Sequence, residues 1–206
     1  MTAEYDRCVF VNCPFDEQYR PLFRAIIFTV RLCGYTARCA LETDDSGETR
    51  ATRIIDLIRN CRYGIHDLSR TELSDGLPRF NMPFEFGVFI GFKHSGVRKQ
   101  RGKLALVLDR ERYRYQRVLS DIAGQDIKAH HDKLPDLVRA VRDWLKALSP
   151  SRKLPGTEAI CRRYEAFTAE LPRLLGELQL TTADLDNYPD FYQLVHDWLV
   201  NNQPIA

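Results

Sequence analysis

The chain has 206 residues, 44% hydrophobic and 28% charged, with a formal net charge of +2. That balance describes a globular chain with one sizeable core, and it excludes extensive disorder and any obligatory dependence on nucleic acid. No apolar run approaches the ~20 residues of a membrane-spanning helix. The N-terminus, "MTAEYDRCVFVNCPF", places charges before a very short apolar run without a cleavage pattern, so no signal peptide is expected. The six cysteines form no C-x-x-C pair, and most lie inside apolar segments. They read as small buried hydrophobes in a reducing, cytoplasmic compartment.

In chain order, "RCVFVNC" (Arg7 to Cys13) is a β-branched and aromatic run stopped by Pro14, a strand signal. Glu17 to Leu32 places Leu22, Ala25, Ile26 and Val30 on one helical stripe, with Pro21 in the tolerant first turns and Gly34 as terminator. "YTARCALE" (Tyr35 to Glu42) predicts a second strand and "TDDSG" a loop. Glu48 to Cys61 predicts an amphipathic helix with Ile54, Ile55, Leu57 and Ile58 inward. "YGIHDL" (Tyr63 to Leu68) reads as a third strand and Ser69 to Asn81 as a polar loop. A buried helix is expected from about Met82 to Lys93. "KLALVLD" (Lys103 to Asp109) has the continuous apolar character of a central parallel strand. "DIKAHH" is a candidate edge strand, and Leu134 to Leu148 a closing helix.

This alternation predicts an α/β fold: a parallel sheet of about five strands with helices on both faces. Ligands in such sheets bind beyond the carboxyl ends of the strands, where the loops after Cys13, Glu42, Leu68 and Asp109 should gather. The turn-rich "SPSRKLPG" (Ser149 to Gly156) marks a linker. Two further helices follow it, the first expected to kink or split at Pro172.

The chain carries no glycine-rich phosphate loop, which excludes a Rossmann dehydrogenase or a P-loop NTPase. His130, His131 and Asp132 are either metal ligands or a solvated strand end; adjacent residues point different ways, which favours the latter. His66 fits a packed core histidine better than a catalytic base. Ser69 follows a strand but without a G-x-S-x-G turn, and Cys13 before Pro14 fits a structural cysteine better than a nucleophilic thiol. What remains is a set of polar residues at the presumed rim: Asn12, Asp16, Tyr19, Asp44, Asp45, Glu48, Asp67, Ser69, Arg79, Asn81 and Glu85. Caps and turns account for most of them taken singly. Glu85 stands apart within "FNMPFEFGVFIG", in the expected first turn of an aromatic-rich helix. A helix-dipole role explains an exposed Glu there better than one enclosed by aromatic rings.

"VFVNCPFDEQYRPLFRAI", "GIHDLSR" and "FNMPFEFGVFIG", in that order, resemble the TIR-like and nucleoside 2-deoxyribosyltransferase-like superfamily of flavodoxin-like α/β domains. The resemblance covers about residues 7 to 148 and implies a domain over 1–148. Residues 149–206 are then a linker and helical C-terminal extension outside the resemblance. It implies that Glu85 of "FEFG" is the catalytic carboxylate and that Asp67 lies beside a nucleoside pocket. The turn after the first strand, with Asn12, Pro14, Phe15, Asp16 and Tyr19, would line base and ribose. Asp67 and Asn81 would orient ribose hydroxyls, Ser69 would join the substrate contacts, and Arg79 or Arg53 would either meet a pyrophosphate or remain surface arginines. "RFNMPFE" lacks the Asp-Ser-Gly-Thr-like run of the deoxyribosyltransferases, which leans toward the TIR-like branch, whose members cleave NAD or recognise nucleotide signals.

The implied activity is hydrolysis of the N-glycosidic bond of NAD or a related nucleotide, with Glu85 stabilising the ribosyl oxocarbenium. The nicotinamide ring is already cationic while bound in NAD and departs neutral, so no second carboxyl acid and no metal or further cofactor is required. A nucleotide-binding or self-associating signalling module without catalysis is one alternative, and deoxyribosyl transfer between nucleosides another. The resemblance further implies a nucleotide ligand, a homo-oligomer and a role in antiviral defence.

Overall fold

A computed structural model of the chain describes residues 2–43, 45–70, 73–74, 77–117 and 119–202. In chain order the elements are α1 (Thr2–Tyr5), β1 (Cys8–Asn12), α2 (Arg20–Leu32), β2 (Thr36–Arg38), α3 (Arg50–Asn60), β3 (Tyr63–Asp67), β4 (Leu73–Ser74), β5 (Leu77–Pro78), α4 (Asn81–His94), β6 (Leu104–Asp109), β7 (Lys128–Ala129), α5 (Leu134–Leu148), α6 (Thr157–Glu177) and α7 (Tyr188–Asn201). Five strands form one sheet in the order β2-β1-β3-β6-β7, and every pairing is parallel. This is the flavodoxin-like order, and strand progression reverses between β1 and β3. The crevice outside Asn12 and Asp67, the last residues of these strands, is therefore the topological switch point.

Each residue of β1 and β3 is buried, as strands covered on both faces require. On one face, Ile54 and Ile58 of α3 pack with Phe89 of α4 against Cys8 and Phe10. The other face carries α2 and α5, backed by α6 and α7, which share its core. The C-terminal extension is thus an additional helical layer on the α/β domain.

That layer explains why α2 is apolar nearly all round. The expected stripe of Leu22, Ala25, Ile26 and Val30 is buried, and so are Phe23, Ile27 and Phe28. Phe28 stacks on Phe167 at 5.5 Å and meets Trp198 at 5.9 Å, so the back of α2 faces helices instead of water. Gly34 ends α2 as expected: it sits at φ +80°, and the Tyr35 amide returns to the Val30 carbonyl at 3.1 Å.

Several boundaries differ from expectation. Only Thr36–Arg38 of Tyr35 to Glu42 pair as a strand. Beyond Arg38, the Glu42 carboxylate takes the Arg38 Nε at 2.7 Å and the Cys39 amide at 3.2 Å, folding the segment into a turn. The loop from Ser69 to Asn81 contains the antiparallel pair β4–β5. β6 begins with Leu104 42% exposed, because β7 pairs only with Leu108 and Asp109 and leaves the start of the strand at an open edge. Pro172 lies inside α6 without splitting it. The helix loses one backbone hydrogen bond there, but its buried face of Ile160, Tyr164, Phe167, Leu171 and Leu175 outweighs the ~3 kcal/mol at stake.

Candidate functional site

Two carboxylates stand at the switch point, one from a strand end and one from a helix. Asp67 is the last residue of β3 and is fully buried. Its Oδ1 accepts the Ser69 amide at 2.8 Å and the Ser69 hydroxyl; its Oδ2 accepts the Tyr19 hydroxyl and lies 3.1 Å from His130 Nε2. His130 Nε2 is also 2.8 Å from Ser69 Oγ, while its Nδ1 accepts the Asp132 amide at 3.1 Å. His130 therefore carries its proton on Nε2, directed at Asp67. Burial alone would raise the Asp67 pKa, but the hydrogen bonds from His130, Ser69 and Tyr19 hold it below the usual carboxylate value. His130 shifts upward: burial opposes its charge, and the bond to Asp67 prevails.

The segment after β7 pays for this arrangement in backbone strain. His131 and Asp132 sit at φ 54° and 53°, sparsely populated for residues with a side chain, and the turn they form brings the Asp132 amide onto the His130 ring.

Glu85 has the opposite surroundings. The inward stripe of α4 is Met82, Glu85, Phe86 and Phe89, so the helical period itself directs Glu85 at the core. It is the fifth residue of the helix, whose first turn holds no acid; the expected first-turn placement and its dipole account do not apply. Asn12 fixes the start of α4 to the end of β1, donating from Nδ2 to the Met82 carbonyl at 2.9 Å and to His66 Nδ1 at 3.1 Å. Glu85 is 7% exposed, and among the described residues its carboxyl receives no hydrogen bond and no ion pair. Burial pushes its pKa up to about 7, opposed by the charge of Arg50 at the start of α3. Its charge and that of Asp67 both reach the buried Cys13 thiol, whose pKa is raised first by burial and then by these anions.

His66 of β3 packs between β1 and α4. It is enclosed by Phe10, Phe86 and Phe89, and burial holds its pKa down to about 3. Because Nδ1 accepts from Asn12, the proton is on Nε2, which has no hydrogen-bond partner. A Cβ on Gly64 would stand 2.5 Å from that nitrogen and 2.8 Å from the Phe89 ring, so the strand needs glycine there.

The other expected site residues separate into groups. Asn12, Pro14, Tyr19, Asp67 and Ser69 are buried, and all but Pro14 are held by the bonds just described. Asp16 accepts the Tyr19 amide at 3.0 Å at the start of α2 and pairs with Arg79 at 3.3 Å and Arg70 at 3.8 Å, tying the loop after β1 to both ends of the loop between β3 and α4. Asn81 is exposed at the first position of α4. Phe15 packs against Phe23 of α2, on the face of the sheet opposite α4. Asp45 and Glu48 are exposed, Asp45 accepting the Gly47 amide at 2.7 Å, and Asp44 lies outside the described residues. His130, taken from sequence as a strand end facing water, is fully buried against Asp67. The only sequence signal for it was a histidine beside an edge strand. Among the described residues no three His, Cys, Asp or Glu side chains converge as a metal site, and no helix is long and apolar enough to cross a membrane.

Fold and site together define a flavodoxin-like α/β protein with a hydrogen-bonded Asp and an unpaired, buried Glu at its switch point. Comparison with protein families, curated proteins and solved structures finds no match to the chain. Its chemistry therefore has to be read from these residues.

Proposed function

We propose that the protein hydrolyses the N-glycosidic bond of NAD or a closely related nucleotide, with Glu85 as the catalytic carboxylate. One observation carries this reading: an inward-facing Glu at the switch point, 7% exposed and without an internal partner among the described residues, its pKa raised to about 7. Perturbed groups of this kind cluster at functional sites. Departure of nicotinamide leaves positive charge on the ribose, and a carboxylate in a dry setting stabilises that charge far better than one in water. The leaving ring is already cationic in the substrate, so one carboxylate is sufficient. The cationic ring also favours the ionised form of Glu85 on binding. Asp67, saturated by its four contacts, braces the end of β3, and Asn12 holds α4 in register with it.

The test is nicotinamide release from NAD at high protein concentration, followed by chromatography, for the wild type and Glu85→Gln. Release falls on the order of 10²–10³-fold in the variant, a loss comparable to removing one preorganised group that stabilises transition-state charge. In the wild type kcat/KM rises as pH passes through about 7, because the reactive form is the carboxylate. Undiminished release from Glu85→Gln sinks the assignment. Nucleotide binding without release would make the protein a nucleotide-binding module.

A further inference from the structure

A cavity opens at the same rim, on the other face of the sheet from Glu85. It holds about 190 Å³ between the loops leaving β1 and β2, the start of α2, and the segment entering α7. Its walls are aromatic: Phe15, Phe23, Tyr188 and Phe191. The Tyr188 hydroxyl is already bonded to the Ala37 carbonyl at 2.7 Å, so this residue offers the cavity its ring. The polar groups converge on one edge. Arg20 and Arg24 reach Asp186 Oδ1 at 3.2 and 3.3 Å, and Oδ2 accepts no hydrogen bond among the described residues.

We infer that this cavity binds an amino-substituted purine ring, the adenine end of the dinucleotide whose nicotinamide ribose lies at Glu85; the inference rests on the proposed NAD reading. The volume is below the range of pockets for whole drug-sized ligands and suits a single flat ring system. Aromatic walls favour a flat π-system through stacked and edge contacts. The paired carboxylate and guanidinium groups supply an acceptor for an exocyclic amine next to a donor for a ring nitrogen. Phe15 is three residues beyond Asn12, so a ligand crossing the end of β1 would reach both faces of the sheet. The C-terminal layer then has a binding role, since Leu185, Asp186, Tyr188 and Phe191 all belong to it.

The experiment uses the full chain with AMP and purine riboside 5′-monophosphate as probes, by isothermal titration and saturation-transfer NMR of the ring protons. Two variants accompany it: Leu41→Trp, which fills the cavity from a half-buried loop position, and Asp186→Ala. Thermal melts establish that each is folded. AMP binds the wild type at least tenfold more tightly than purine riboside 5′-monophosphate, which has no exocyclic amine and no ring N–H to donate to Asp186. Leu41→Trp weakens AMP at least tenfold, and Asp186→Ala removes the preference for AMP. Equal binding of AMP and purine riboside 5′-monophosphate by the wild type overturns the assignment, as does AMP binding indifferent to Leu41→Trp. Nicotinamide release from NAD with no AMP binding overturns this cavity and leaves Glu85 in place. AMP binding that Leu41→Trp abolishes, in a chain that never cleaves NAD, retains the cavity and sinks the Glu85 reading.

Discussion

Asp67 and Glu85 are two buried carboxylates at one strand rim, and their surroundings drive them in opposite directions. Asp67, at 0% exposure, has contacts from Tyr19, Ser69 and His130 and a lowered pKa. Glu85, at 7%, has none of these and a pKa of about 7. Both are buried, so between these two the donors set the direction of the shift. A carboxylate saturated by donors rigidifies the fold. One left without them costs stability, and that cost is the usual mark of a group retained for chemistry.

Removing the charge at Asp67 should produce the largest effect. In Asp67→Asn, His130, Tyr19 and the Ser69 hydroxyl all lose a charged acceptor inside the core. The expected loss is about 3–5 kcal/mol by denaturant titration at pH 7, the usual result of breaking a buried pair from one side. The wild-type contribution is present above the unfolded Asp value and lost as pH falls through the lower folded one, so the difference between the proteins should narrow in acid. A loss under 1 kcal/mol at pH 7 would place Asp67 in the same class as Glu85.

Glu85→Gln should act with the opposite sign. A folded pKa of about 7 against the model value of 4.5 means that wild-type stability falls as pH rises between those values and then levels off. The full difference corresponds to roughly 3 kcal/mol. Gln still buries a polar amide, so the expected gain is about 1–3 kcal/mol at pH 8 and close to zero at pH 4. Thermal melts at the two pH values measure it. A variant that destabilises at pH 8 would reveal a partner for Glu85 and remove the contrast.

The sheet was legible because β1, β3 and β6 are apolar runs set between amphipathic segments, and because the Gly34 terminator is a local signal. The second strand was read too long, since the Glu42 carboxylate that turns the chain back is indistinguishable in sequence from a solvated one. The full burial of α2 was missed for a related reason: its outer face is covered by α6 and α7, from the far end of the chain. Glu85 was legible as an anomaly because α4 has so little polar surface. His130 was not. Its role depends on a strained turn at His131 and Asp132 and on a carboxylate distant in sequence, and neither leaves a periodic trace.

Tyr19→Phe gives the smallest effect and the finest discrimination. The resemblance makes Tyr19 a base or ribose contact, whereas its ring is fully buried and its hydroxyl donates to Asp67. Loss of that single donor should cost about 1 kcal/mol, since Ser69 and His130 still satisfy the carboxylate. With one donor fewer, the folded pKa of Asp67 rises toward its unfolded value, and the acid limb of the stability curve moves to higher pH. A bracing residue changes that limb and leaves KM for NAD as it was. A ligand contact would do the reverse, raising KM with little change in the acid limb, and would return Tyr19 from the Asp67 side of the comparison to the Glu85 side.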